Sequence, residues 1–258
     1  MRILCLGDSI MQYNDFSTFP QTGWVQELER FFPRNVEFLN FARNGRSTKS
    51  YIEEGRFAKV LGIARRGDFA LIQFGHNDEK SADPDRFTSP DKDADKSENK
   101  SFRANLEFFV DEFRKIGVRP ILLTPVARRK FDGGVLVNSH GAYPQAIIET
   151  AKKCSVPCID MTTLTAELLQ TVGENNSRRF YMNFDAGIYA NFAGGKDDNS
   201  HLRPEGAYEV SSLAAEKIAG LGAESDDYKE ISDAVLIGKK KAEADNDKDI
   251  DDEFVIFK

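Results

Sequence analysis

An α/β fold, with a parallel sheet covered by helices on both faces, is predicted by three features of the chain. Five short, almost wholly apolar runs recur along it, segments of helical periodicity alternate with them, and polar turns stand at the carboxyl ends of the first three. Strands without polar alternation are buried on both sides, and a parallel sheet between two helical layers provides that burial.

The strands are expected at residues 3–6, 36–40, 69–74, 120–124 and 156–160. The clearest helix carries Phe102, Leu106, Phe109, Val110 and Phe113, whose spacing of three and four paints one apolar face. Further helices fit residues 23–32, 56–66, 143–153, 162–172 and 204–221, the last opened by Pro204. Residues 79–100 are rich in Asp, Lys, Ser and Pro and read as a solvated excursion over the carboxyl edge of the sheet.

The chain has 258 residues and a formal charge of −7, distributed unevenly. Residues 223–258 hold twelve acidic and six basic side chains, leaving 30 acids against 29 bases before them. The expected organisation is therefore a nearly neutral domain over residues 1–222 and an acidic extension over 223–258. Within the extension, residues 239–252 are dense in charge, and the closing Phe254-Val255-Ile256-Phe257 is expected to dock on the body or on a partner. A neutral body offers no electrostatic footprint for nucleic acid, and no apolar run reaches the length of about 18 residues that suggests a membrane span. Met1-Arg2 leads straight into the first strand without a signal segment, so a cytoplasmic location is expected if this is the native start. Cys5, Cys154 and Cys158 are too few for a disulfide framework. Cys154 and Cys158 read as buried thiols or a local bridge.

Ligands in such folds bind at the carboxyl ends of the strands. Gly7-Asp8-Ser9 follows the first strand, Asn44-Gly45-Arg46-Ser47 the second and Phe74-Gly75-His76-Asn77-Asp78 the third. Near the other end, Asp198-Asn199-Ser200-His201 places an acid and an imidazole three residues apart. A serine hydroxyl attacks a carbonyl when an imidazole takes its proton, and a carboxylate fixes that imidazole's tautomer. Ser9 is the candidate nucleophile, His201 the base and Asp198 its orienting acid. The Ser9 and Gly45 backbone N–H groups and the Asn77 side-chain amide are the candidate oxyanion donors. Of the three histidines, His76 reads as a structural hydrogen-bonding residue, and His140 as a loop residue that either reaches substrate or stands in water. Asp8 points away from Ser9 in an extended turn and is left out of the triad. Asp245, Asp247 and Asp249 imitate a calcium loop but carry Ile250 and Ile256 where glycine and glutamate are needed; Asp91, Asp93 and Asp95 fail likewise. No metal site and no cofactor are expected.

With Ser9, Gly45, Asn77 and His201 in that order, the sequence resembles the SGNH, or GDSL-type, hydrolases. The resemblance implies a three-layer αβα sandwich whose five strands take the flavodoxin-like order 2-1-3-4-5. Residues 40–48, 74–78, 124–126 with Arg128 and Arg129, and 198–201 are most similar to the rhamnogalacturonan acetylesterase group, although Ile10 departs from the residue usual there. That similarity implies an acetylated, pectic oligosaccharide as substrate. Arg128 and Arg129 are candidates for its carboxylates, and His140, Tyr189 and Phe192 for its sugar rings. The alternatives are a lipolytic esterase or thioesterase of the same fold, and a carbohydrate-binding protein without turnover.

Overall fold

A computed structural model describes residues 1–236. The strands are β1 (Arg2–Gly7), β2 (Glu37–Asn40), β3 (Phe69–Gln73), β4 (Arg119–Leu123), β5 (Phe131–Asp132), β6 (Val135–Leu136), β7 (Cys158–Ile159), β8 (Tyr181–Phe184) and β9 (Lys196–Leu202). The helices are α1 (Trp24–Leu28), α2 (Thr48–Glu53), α3 (Arg56–Ile63), α4 (Phe102–Lys115), α5 (Tyr143–Cys154), α6 (Met161–Val172), α7 (Glu174–Ser177), α8 (Pro204–Glu224) and α9 (Lys229–Ala234). The main sheet is parallel throughout and runs β2-β1-β3-β4-β7, which is the order 2-1-3-4-5 among its own members. Two hairpins, β5–β6 and β8–β9, stand outside it.

Successive strand residues face opposite sides, so each strand feeds two cores. Ile3, Cys5, Phe69, Leu71, Ile121 and Leu123 enter one core, under α1, α6, α8 and α9. Leu4, Leu6, Ala70, Ile72 and Leu122 enter the other, under α2, α3, α4 and α5. On α4 the five residues of the predicted face are all buried, each contributing about 1.5–3 kcal/mol. Ser101 caps this helix, its Oγ accepting the Ala104 N–H at 3.3 Å, and Gly117 follows its end at φ +79°.

Some elements differ from expectation for identifiable reasons. The fifth strand shortens to Cys158–Ile159 because Pro157 has no N–H to give to the ladder. The first helix ends at Leu28 and continues as a 3₁₀ turn, Glu29–Phe31. Short α2 is held by reciprocal bonds between Ser47 and Ser50, with Ser47 N–H donating to Ser50 Oγ at 2.9 Å and Ser50 N–H to Ser47 Oγ at 3.2 Å. The predicted boundary after residue 222 falls inside α8, and the packed body continues to Val235. There Tyr228, Ile231 and Val235 join the core, and the Tyr228 hydroxyl donates to Pro120 O at 2.8 Å. Apolar burial outweighs the local acidity of that segment. The charged stretch 239–252 and the closing Phe254–Phe257 lie outside the described residues. Cys5, Cys154 and Cys158 are all free thiols, and no described helix is long and apolar enough to cross a membrane.

Candidate active site

Three turns leaving adjacent strands converge at the carboxyl edge of the sheet. Gly7 ends β1 where a Cβ would lie 2.6 Å from both Gln73 O and Met11 Sδ, so the close strand contact demands glycine. Asp8 then closes the turn, its Oδ1 accepting the Ile10 N–H at 2.9 Å and its carbonyl the Met11 and Gln12 N–H groups. The turn after β2 is tied to it: Arg43 N–H donates to Gly7 O at 2.9 Å and Asn44 N–H to Gln12 Oε1 at 2.6 Å. Gly45 sits at φ +78° with only Arg86 Nη1, at 3.9 Å, near a would-be Cβ. It is backbone conformation, more than crowding, that calls for glycine there. The turn after β3 joins the second through Asn77 Nδ2, which donates to Arg46 O at 3.1 Å.

His201 comes from β9, and its Nε2 lies 2.9 Å from Ser9 Oγ. Its Nδ1 lies 2.8 Å from Asp198 Oδ2. A carboxylate only accepts, so Nδ1 carries the proton and Nε2 is left to accept from the serine hydroxyl. Asp198 Oδ1 also accepts the N–H groups of Ser200 at 2.8 Å and His201 at 3.0 Å. Burial works to raise the Asp198 pKa, but the His201 hydrogen bond and charge and these backbone donors pull it down to about 2. In a regular strand, residues three apart face opposite sides. Here Tyr181 pairs with Leu202 and Asn183 with Asp197, so two steps along β8 face five along β9. The surplus forms a bulge that turns Asp198 and His201 toward each other.

Among the described residues, neither the Ser9 N–H nor the Gly45 N–H meets a hydrogen-bond acceptor. Both are available to an acceptor from outside the described residues. The sequence-predicted Ser9, His201 and Asp198 thus stand in one hydrogen-bonded series, with Gly45 and Asn77 on turns joined to the same edge.

Behind this edge is a polar layer that sequence reasoning only partly identified. Asp8 and His76 are buried, with His76 Nδ1 3.3 Å from Asp8 Oδ2, a distance for electrostatic pairing without hydrogen-bond alignment. Burial opposes ionisation of Asp8, yet the neighbouring His76 and the Ile10 N–H hold its pKa below the usual carboxylate value. The His76 ring packs edge-on against that of His140, with centroids 4.6 Å apart. His140 is itself buried, with Nε2 2.9 Å from Val126 O and Nδ1 3.1 Å from Glu79 Oε2. Its ring is enclosed between Val126 on β4's continuation, Glu79 on the excursion and His76, and so does not stand in water.

Arg128 and Arg129, the expected carboxylate contacts, both have partners within the protein. Arg128 pairs with Glu79, donates through Nε to Ser200 Oγ at 3.1 Å and through Nη1 to Ser139 O at 3.1 Å. Arg129 donates to Asn199 Oδ1 at 2.8 Å and through Nη2 to Glu174 O at 2.6 Å. Both guanidinium groups bond side chains of β9, Arg128 that of Ser200 and Arg129 that of Asn199. Tyr189 and Phe192 are half-buried, their rings packed edge-on around Phe184 at 4.7 and 6.0 Å. Phe16, 80 % exposed, and Phe19, 45 % exposed, are the most exposed of the large aromatic residues described, and their carbonyls accept bonds from Asn191 Nδ2. Their position soon after Ser9 was the only sequence signal available. Lys80 was missed too: it is three residues beyond Asn77, and its Nζ donates to Asn77 Oδ1 at 2.8 Å.

The family model that the chain matches and the curated relatives it is similar to place the protein among the carboxylic ester hydrolases. The chain belongs to the GDSL-like lipase/acylhydrolase family, whose model matches residues 5–207. It is 34% identical to the rhamnogalacturonan acetylesterase RhgT of Bacillus subtilis (strain 168), over 88% of this chain and 94% of that one. To the probable rhamnogalacturonan acetylesterase YesY of the same organism it is 31% identical, over 85% of this chain and 93% of that one. In three dimensions it is similar to the crystal structure of protein YxiM from Bacillus subtilis, with a TM-score of 0.70 and 21% identity. That superposition covers 85% of this chain and 56% of the other, so this chain spans little more than half of that protein.

Proposed function

We propose that the protein is a serine esterase that removes acetyl groups from acetylated pectic oligosaccharides of the rhamnogalacturonan type, with Ser9, His201 and Asp198 as its triad. The catalytic half rests on one observation: Ser9 Oγ, the two ring nitrogens of His201 and Asp198 Oδ2 form an unbroken series at 2.9 and 2.8 Å. The substrate half is supported by the names of the two Bacillus relatives that match this chain over most of its length. The exposed Phe16 and Phe19 supply rings of the kind on which sugars stack.

His201 Nε2 takes the hydroxyl proton as Ser9 Oγ bonds to the acetyl carbonyl carbon. The carbonyl oxygen becomes an oxyanion facing the Ser9 N–H, the Gly45 N–H and the Asn77 amide. Collapse breaks the bond to the sugar oxygen, which leaves with the proton returned by His201. A water molecule, deprotonated by His201, then attacks the acetyl-serine, releasing acetate and restoring Ser9. Asp198 stays ionised throughout and stabilises the imidazolium.

Acetate release from acetylated rhamnogalacturonan oligosaccharides, measured beside acetyl, butyryl and octanoyl esters of one chromogenic alcohol, tests both halves. Acetyl esters should be preferred, and acetate should appear from the oligosaccharides. Preference for the octanoyl ester, or oligosaccharides left intact, would overturn the substrate assignment.

A further inference from the structure

The Asn77 side chain can be an oxyanion donor only if its amide presents nitrogen, and not oxygen, to the substrate. A half-turn of the amide exchanges the two with little steric change. The two neighbours of this amide are chemically one-sided. Lys80 Nζ, 2.8 Å from one end, can only donate; Arg46 O, 3.1 Å from the other, can only accept. Flipping would set nitrogen against an ammonium and oxygen against a carbonyl, losing both bonds together.

Lys80 is unusual in what it contacts. Among the described residues it makes no ion pair with a carboxylate, and its bond to Asn77 is to a neutral amide. Burial pulls its pKa below the ordinary lysine value, as do the nearby Arg86 and Arg128, while Asp8 and Asp83 act in the opposite direction. A cation has been placed next to other cations, bonded to the one side chain proposed to face the oxyanion.

We infer that Lys80 is a positioning residue for the reaction: its ammonium holds Asn77 Oδ1, keeps Nδ2 available to the oxyanion, and strengthens that donor by polarising the amide. The inference rests on the reading of Asn77 as an oxyanion donor and extends it. An ionised donor gives a stronger hydrogen bond than a neutral one, and bonds in series polarise one another. The benefit grows with the charge on the substrate oxygen, so it belongs to the transition state more than to the bound ester.

The test is a double-mutant cycle on 4-nitrophenyl acetate, a neutral substrate with no carboxylate for Lys80 to recognise. Lys80→Met should lower kcat roughly 10-fold with KM little changed, less than the roughly 100-fold or more expected on losing the Asn77 donor itself. Lys80→Arg should recover much of the loss, since a guanidinium can also donate to Oδ1. In an Asn77→Ala background the Lys80→Met change should cost nothing further. Unchanged kcat in Lys80→Met, or an equal loss with and without Asn77, would overturn the role. Ser9→Ala, run alongside, separates the layers: if it keeps full turnover, the underlying esterase reading fails, and the role of Lys80 with it.

Discussion

The two halves of the candidate site are built by different means. Ser9, Gly45 and Asn77 stand on turns leaving β1, β2 and β3, neighbouring strands of the main sheet; the first two turns share the backbone bond Arg43 N–H to Gly7 O, and the third is joined to the second by the Asn77 side chain on Arg46 O. Asp198 and His201 stand on β9, in a bulged hairpin outside that sheet. Asn77 is 4 % exposed, whereas the side chains of Asp198 and His201 are 20 % and 27 % exposed. The proposed nucleophile and donors are therefore placed at the ends of core strands. The proposed acid–base pair is placed by the β8–β9 ladder, by the backbone bonds Arg129 N–H to Asn199 O and Thr22 N–H to Leu202 O, both 2.9 Å, and by the side chains of Arg128 on Ser200 and Arg129 on Asn199. Rigid strand ends suit donors that must be aimed before charge appears. A tethered strap is more open to disturbance through its anchors.

The sharpest way to break this division is to remove one member from each half. Ser9→Ala and His201→Ala should each lower kcat by roughly 10⁵- to 10⁶-fold, and the double variant should be no worse than either. Near-additive losses, measured by acetate release, would show that the halves do not work as one relay. A smaller effect should follow from cutting the strap alone. Arg128→Ala removes the bond to Ser200 and leaves Glu79 without its ion pair, costing about 1–3 kcal/mol of stability. Turnover should fall roughly 10-fold as the base loses its alignment. A lowered melting temperature with kcat intact would dismiss the tether and leave only its packing role.

The smallest effects, and the most diagnostic in sign, concern two carboxyl groups. Asp78, at the end of the sheet-borne half, accepts bonds from Thr48 N–H, Thr48 Oγ1 and Thr88 Oγ1 at 2.9, 2.6 and 2.8 Å. Burial nevertheless pushes it up to about 7, against those bonds. Its folded-state pKa is raised, so its contribution to stability is complete below the unfolded value of about 3.9 and is lost as pH rises through 7. Asp198 in the hairpin is lowered to about 2, so its contribution is present above about 3.9 and is lost as pH falls toward 2. Asp78→Asn should flatten the fall in melting temperature between pH 5 and pH 8, by roughly 3–5 °C, and Asp198→Asn should flatten only the acid limb. Thermal scans across pH that show the same sign for both would contradict the contrast in their surroundings.

Much of this organisation was legible in the sequence because it is written in local pattern. The apolar runs located all five strands of the main sheet, and the three-and-four spacing from Phe102 to Phe113 located α4 and its buried face. Ser9, Gly45 and Asn77 were legible because each directly follows such a run, and the carboxyl ends of parallel strands share one edge. Asp198 and His201 were legible as an acid–imidazole pair, though not as a bulged strand: β8–β9 is polar on one side and lacks the apolar signature of the main sheet.

What only the tertiary structure decided are contacts between segments far apart in the chain. Arg128 looks like a free surface cation in sequence, yet Glu79, Ser139 and Ser200 occupy it; His140 looks like a loop residue, yet Val126 and Glu79 enclose it. Phe16 and Phe19 stayed unremarked because exposure is not a property of composition. Tyr228 and Ile231 join the core although the residues around them are acidic, because burying apolar surface depends on what packs opposite and not on neighbours in sequence. Periodicity reports which way a side chain points. Partner and burial are set by the distance between elements, and that distance exists only once the sheet and its two helical layers have closed.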